Sequence, residues 1–155
     1  MTEVRRATPA DAAVLGRMLW DFNTEFETET DGADVLAERF GRLLTRDDVV
    51  AVLAESAGSA EGFALVTLRP AIWFDGPVSQ LEELYVVPVL RDRGIGTAIL
   101  DLSRRLVHDL GSPEMHINVD EVDGDTRRFY ERHGFRNIED GVDYRMLCYI
   151  GPTST

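Results

Sequence analysis

The sequence predicts an α/β fold, a mixed sheet with helices on both faces. The first observation behind this is the order of apolar periodicities, which reads β-α-α-β-β-β-α-β-α-β-β along 155 residues. The second is connectivity. Hairpins dominate the first half, whereas the second half contains a strand-helix-strand crossover, which imposes a parallel step. A chain that is 44% apolar and 28% charged has the composition of a globular protein rather than a disordered one. Its length fits one domain, expected to span residues 1–155.

Each element has its own signal. Val4 to Ala7 is a short first strand. Thr8-Pro9 opens a helix with a hydroxyl cap and a proline at the first helical position. Val14, Leu15, Met18, Leu19, Phe22 and Phe26 continue that helix at helical spacing, and a second helix covers Ala33 to Leu44. Val49 to Glu55 and Phe63 to Leu68 are strands joined by a turn around Ser56-Ala57-Gly58-Ser59, a hairpin. Val78 to Val87 is a third run, ended by Pro88. Gly94 to His108 is an amphipathic helix with Ile95, Ala98, Ile99, Leu102 and Leu106 on one face. Met115 to Val119 is a strand, and Asp125 to His133 a short helix that Gly134 terminates. Phe135 to Ile138 and Tyr144 to Ile150 are expected to finish the sheet.

Composition excludes several classes of function. The net charge of -12 opposes binding to a phosphate backbone, so no nucleic-acid partner is expected. No apolar run reaches the roughly 20 residues of a membrane span, and no signal-peptide core follows the N-terminus, so a cytoplasmic protein without a membrane partner is expected. Cys148 is the single cysteine; it sits in an apolar run and reads as a small buried hydrophobe. His108, His116 and His133 lack metal-ligand spacing, and no metal is expected. His116 reads as structural.

The most informative stretch runs from Leu84 to Thr97, strand then tight turn then helix. A helix N-terminus leaves amides unpaired and carries partial positive charge, which suits phosphate. Gly94 and Gly96 remove side chains where backbone must approach an anion, and Arg91 and Arg93 add positive charge. A P-loop would need a lysine after the last glycine, where Thr97 and Ala98 follow Gly96 instead. A dinucleotide fingerprint would need a third glycine where Ile99 stands.

The run Arg91-x-x-Gly94-x-Gly96 after Val86-x-Pro88 resembles the acyl-CoA signature of the GCN5-related N-acetyltransferase (GNAT) superfamily. Arg128-Phe129-Tyr130-Glu131-Arg132-His133-Gly134-Phe135 resembles that family's tyrosine-bearing segment, and the order of elements is similar from end to end. The resemblance implies a mostly antiparallel mixed sheet with a splayed parallel strand pair, and acetyl-CoA as co-substrate. It also implies that the backbone of Leu84, Tyr85 and Val86 pairs with the pantetheine arm and acyl carbonyl. The turn of Arg91, Asp92, Arg93, Gly94, Ile95, Gly96 and Thr97 would hold the pyrophosphate. Tyr130 matches the tyrosine that protonates the departing thiolate. Where the family commonly carries asparagine, this chain has Asp123, which accepts but cannot donate as an amide does, so its cofactor contact is in question.

The attacking amine must be neutral, so a base is needed. Strand alternation puts Glu82 and Glu83 on opposite faces, with Glu82 beside Leu84 and Val86. Several small-amine acetyltransferases carry an acid at the place of Glu82, which is therefore the expected base; Glu83, or a solvated pair with neither acting, are the alternatives. The expected activity is acetyl transfer to a primary amine, a small cationic one, by a homodimer. The acidic stretch Asp21, Glu25, Glu27, Glu29, Asp31 and Asp34 lies near where the family builds its acceptor site. It suits a polyamine, an aminoglycoside or a basic peptide, so acetylation of a protein N-terminus or lysine stays open. So does a non-catalytic acyl-CoA-binding regulator. Trp73 and Phe74 are candidates for lining an acceptor pocket.

Overall fold

The structure, a computed structural model, describes residues 1–154. The chain forms two compact units, Met1–Ile117 and the segment from Asn118 onward. In the first unit, β1 (Glu3–Arg6) leads through a 3₁₀ turn at Pro9–Asp11 into α1 (Ala12–Glu25), followed by α2 (Ala33–Leu43). Then come β2 (Val49–Ser56), β3 (Ser59–Arg69), β4 (Val78–Val86), a 3₁₀ turn at Pro88–Leu90, α3 (Ile95–Asp109) and β5 (Met115–Ile117). The sheet order is β1-β2-β3-β4-β5. Every neighbouring pair is antiparallel except β4 with β5, which is parallel. This is the mixed, mostly antiparallel sheet that the sequence predicts.

Local chemistry accounts for the punctuation. The β2–β3 hairpin turns through Ala57 at φ 50° and Gly58 at φ 78°, two consecutive left-handed residues of the kind that suit the twist of a tight hairpin. Thr8 begins a 3₁₀ turn rather than the α-helix directly. Asp11 reaches back 2.8 Å to the Thr8 amide and takes a two-pronged bond of 2.9 Å and 2.9 Å from Arg5. That guanidinium holds the Asp11 carboxyl down at about 2 and ties β1 to the start of α1.

The two sheet faces bury different helices. Ala51 and Leu53 of β2, Phe63 and Leu65 of β3 and Tyr85 of β4 form a cluster with Leu15 and Met18 of α1 and Phe40 of α2. The alternate residues Val50, Val52, Ala64 and Val66 are fully buried on the other side, which α3 covers with Ile99 and Leu100. Period two in the strands and 3.6 in the helices thus meet as the sequence implies. α1 and α2 approach closely because Gly16 has no side chain. A Cβ there would lie 2.4 Å from the Ala37 backbone nitrogen.

The second unit holds α4 (Gly124–Arg132). The expected strands at Phe135 to Ile138 and Tyr144 to Ile150 are not formed among the described residues. One backbone bond, Met146 N–H to the Asn137 carbonyl at 2.7 Å, lies across a turn with Gly141 at φ 84°. A single rung is not a ladder. Tyr144, Met146, Leu147, Tyr149 and Ile150 are all exposed, so the apolar alternation that suggested a strand has no buried face in this unit to fix it. Cys148, expected to be a buried hydrophobe, is exposed for the same reason.

Candidate functional site

The two adjacent glutamates of β4 do not face as regular alternation requires. Leu65 of β3 stands opposite Glu83, and Val66 stands opposite Leu81, so Glu82 is an extra residue in the ladder. Such a bulge resets the phase of the strand. Leu81 shares the α3 face with Val66, whereas Glu83 shares the α1/α2 face with Leu65 and Tyr85. Glu82 points to that same side, accepting a 2.6 Å hydrogen bond from the Thr67 hydroxyl. The expectation that Glu82 and Glu83 lie on opposite faces, with Glu82 beside Leu84 and Val86, is therefore corrected. Both carboxylates are on the α1/α2 side, where Tyr85 also lies.

Their environments differ. Glu82 is exposed and Glu83 is half-buried. Burial, and after it the neighbouring Glu82 charge, push the Glu83 carboxyl up to about 7. A carboxyl poised there is a better proton acceptor near neutral pH than an ordinary glutamate. Phe22 packs edge-on against Tyr85 with ring centroids 5.1 Å apart, which brings the last turns of α1 over this part of β4.

Pairing of β4 with β5 is confined to Ser79, Gln80 and Leu81 against Met115, His116 and Ile117. From Glu82 onward, no strand among the described residues pairs with the β5-side edge of β4. The other edge fixes which groups face outward. Val87 donates to the Glu61 carbonyl at 2.9 Å, so residues 61 and 87 are a bonded pair. By alternation, Gly62 with Val86 and Ala64 with Leu84 are non-bonded pairs, whose N–H and C=O groups point to the outer edge. Tyr85, opposite Phe63, directs its backbone into the sheet. Of the three residues expected to offer backbone groups, the register thus selects Leu84 and Val86.

The turn after β4 is exposed at Asp92, Arg93 and Gly94 and half-buried at Arg91, Gly96 and Thr97, with Ile95 buried beneath it. Asp92 and Gly94 adopt left-handed φ of 61° and 83°, and through them the chain turns into α3. Gly94 is the α3 N-cap, and Ala98 makes the first helical bond back to it at 3.0 Å. The amides of Ile95 and Gly96 therefore precede the first i to i−4 bond of the helix.

Arg91 does something that its motif does not reveal. Its Nη1 and Nη2 donate to the two Glu25 oxygens, each at 2.7 Å, and its Nε donates to the Val86 carbonyl at 3.0 Å. The guanidinium also lies 5.7 Å from the centroid of the Tyr85 ring. Thr67 carries no signal in the sequence, and Glu25, which the sequence offers only as part of an acidic stretch near the acceptor site, is here the partner of Arg91. Sixty-six positions separate Glu25 from Arg91, and nothing local in the sequence links them.

In the second unit, Tyr130 is buried on α4, stacked edge-on against Phe129 and Phe135 at 5.3 Å and 6.0 Å. Asp123 is the N-cap of α4, its carboxylate accepting from the Thr126 amide at 3.2 Å. The substitution of acid for amide at this position is thereby explained, because aspartate caps a helix as well as asparagine does.

Among the described residues no group of three or more histidine, cysteine or acidic side chains is arranged to hold a metal. His116 sits between Arg69, 3.1 Å from its Nδ1, and Glu114, 3.6 Å from its Nε2, a surface structural setting. Trp73 and Phe74 line a shallow cavity of about 460 Å³ with Ile72, Asp75, Gly76, Gly111 and Pro113, beside the start of β4.

Known proteins share this architecture. A curated aminoglycoside N(6')-acetyltransferase type 1 of Salmonella typhimurium is 25% identical over 138 residues, covering 86% of this chain and 89% of its own. An N-acetyltransferase of Archaeoglobus fulgidus is 28% identical over 106 residues, covering 66% and 70%. A solved chain from Arthrobacter sp. FB24, classed with the acetyltransferases, superposes with a TM-score of 0.89 at 47% identity, covering 97% and 95%. AAC(6')-Iy in complex with a CoA-linked bisubstrate analogue shares the fold, with a TM-score of 0.75 at 20% identity over 96% and 99%. The family model described as the acetyltransferase (GNAT) family matches residues 15–135, more than half of the chain, and the protein belongs to that family of acetyltransferases.

Proposed function

We propose that this acetyltransferase moves an acetyl group from acetyl-CoA directly to a primary amine of a small, cationic acceptor. The observation that carries the reading is the course of β4. Its outer edge loses its strand partner after Leu81, Glu83 sits half-buried one residue beyond the bulge, and the strand leads through the Pro88–Leu90 turn to the exposed turn at Gly94. An extended ligand bearing amides could add to that edge as a strand would, through Leu84 and Val86. Its pyrophosphate would meet the amides of the turn and the α3 N-terminus.

The chemistry needs two protons removed from the ammonium nitrogen, one before attack and one after it, and one supplied to the thiolate. Glu83 accepts a proton from the ammonium, its carboxyl kept basic by burial and, after it, by the Glu82 charge. The neutral amine attacks the thioester carbonyl, and collapse of the tetrahedral adduct breaks the C–S bond while the nitrogen releases its second proton to solvent. The departing thiolate takes its proton from Tyr130, a role that rests on the match of this residue to the family's tyrosine. The base is thus assigned to Glu83 rather than Glu82, because the bulge gives Glu83 the buried setting.

Acidic side chains support a cationic acceptor. Burial, and after it the Glu25 and Asp21 charges, raise the Tyr85 phenol, so both carboxylates lie near the aromatic wall of β4, Glu25 paired with Arg91 and Asp21 with Arg17. The curated relatives named as aminoglycoside N(6')-acetyltransferases put polyamino sugars first among candidates. A panel of aminoglycosides, polyamines and lysine- or N-terminus-bearing peptides, assayed by thiol release from acetyl-CoA and by product mass, tests the reading. Acetylation of an aminoglycoside or a polyamine above the peptides is the expected result. Acetylation of peptides alone would move the acceptor to protein. No thiol release with any amine, despite acetyl-CoA binding, would favour a non-catalytic regulator.

A further inference from the structure

Arg91 joins three things that the sequence keeps apart. The Val86 peptide is held from both sides, its Val87 N–H by the Glu61 carbonyl of the β2–β3 hairpin and its C=O by Arg91 Nε. On the outer edge, where a neighbouring strand would supply an N–H, the guanidinium supplies it instead. The remaining two prongs are spent on Glu25, the last residue of α1. The pair is partly shielded, with 37% and 27% of the respective side chains exposed, and Tyr85 lies beneath the guanidinium. A planar fork is suited to bridging a carboxylate and a carbonyl at once; an ammonium is not.

We propose that Arg91 is a positioning residue, and that its side chain acts through Glu25 as a latch coupling the cofactor edge of β4 to the end of α1, rather than as a ligand for phosphate. The inference rests on the acetyl-CoA reading above. By holding the Val86 carbonyl, the latch fixes the end of the open edge and leaves the Val86 N–H and the Leu84 groups as those that an extended ligand would use. By gripping Glu25, it makes the order of that edge and the order of the acceptor-side helix one equilibrium. Two sites joined in this way influence each other reciprocally.

The sign of one substitution separates the latch from direct phosphate binding. Glu25→Gln removes a negative charge near an anionic ligand, so simple electrostatics predicts tighter acetyl-CoA binding. The latch predicts weaker binding. Calorimetry with acetyl-CoA on wild type, Glu25→Gln, Arg91→Met and the double variant, each confirmed folded by circular dichroism, should show each single change weakening affinity about fivefold. The double change should cost no more than either single one, and Arg91→Lys should not rescue. In wild type, acetyl-CoA should also slow amide exchange at Phe22 to Phe26 about fivefold, and in neither single variant. Unchanged or tighter binding in Glu25→Gln, or additive losses, would overturn the latch and leave Arg91 a phosphate ligand. No acetyl-CoA binding by wild type would instead overturn the functional reading, and the latch with it.

Discussion

At the scale of residues, the site is decided by one inserted amino acid. Both glutamates and their neighbourhood were legible in the sequence, but their facing was not. Alternation is a rule for regular strands, and no residue in Gln80-Leu81-Glu82-Glu83 announces a bulge. Glu83→Gln should lower turnover by about 10² to 10⁴-fold near neutral pH and abolish the acidic limb of the rate profile. Glu82→Gln should instead shift that limb to lower pH, since the Glu82 charge helps to raise the Glu83 carboxyl. The larger loss in Glu82→Gln would return the base to Glu82. Stability carries the same signature. Glu83 is raised from 4.5 to about 7 in the fold, so the native state binds more protons than the unfolded chain between those values. Wild-type stability should fall as pH rises through that window and level off above it, and Glu83→Gln should remove the slope in chemical denaturation. Tyr130→Phe, which removes one hydroxyl and little volume, should leave acetyl-CoA affinity intact and lower turnover by about 10²-fold or more. Equal turnover would mean that water protonates the thiolate.

At the scale of elements, what the sequence made legible is what local periodicity encodes. The β2–β3 hairpin, α2 and α3 stand within a few residues of their expected ends, because each combines a strong period with a turn or cap. Tyr144 to Ile150 has the period but forms no strand among the described residues, since an apolar alternation becomes a strand only when a buried face fixes it. Gly16 shows the reverse case, a contact invisible to periodicity. Gly16→Ala would force α1 and α2 apart against the Ala37 backbone, at a cost of about 1–3 kcal/mol. A thermal midpoint lowered by several degrees is the expected result, and an unchanged midpoint would mean that the helices slide without penalty. At the α3 N-terminus, Gly96→Asp would set a carboxylate among the amides proposed to hold the pyrophosphate and should weaken acetyl-CoA at least about 10-fold, or 1.4 kcal/mol, in calorimetry.

At the scale of the molecule, the net charge of -12 bears on how an acceptor is captured. Charge of that sign raises the local concentration of a polycation, and salt screens the effect, with a Debye length shrinking from about 30 Å at 0.01 M to about 8 Å at 0.15 M. For a polycationic acceptor, KM should therefore rise several-fold over that range while kcat changes little. A salt-independent KM would confine recognition to short-range contacts. The bulge at Glu82 has a consequence on this scale too, in terms of parity. A strand counts its side chains in twos, and one extra residue turns an even count into an odd one between Leu81 and Glu83. The stretch before Glu82 and the stretch after it are each in step with β3 only because that residue is there. Deleting it, or inserting one more beside it, would swap inside for outside along half of β4, carrying Tyr85 out of its cluster or Leu81 out of its own. The loop from Pro70 to Pro77 has no such count to keep, so changes of length should be tolerated there and refused one strand later.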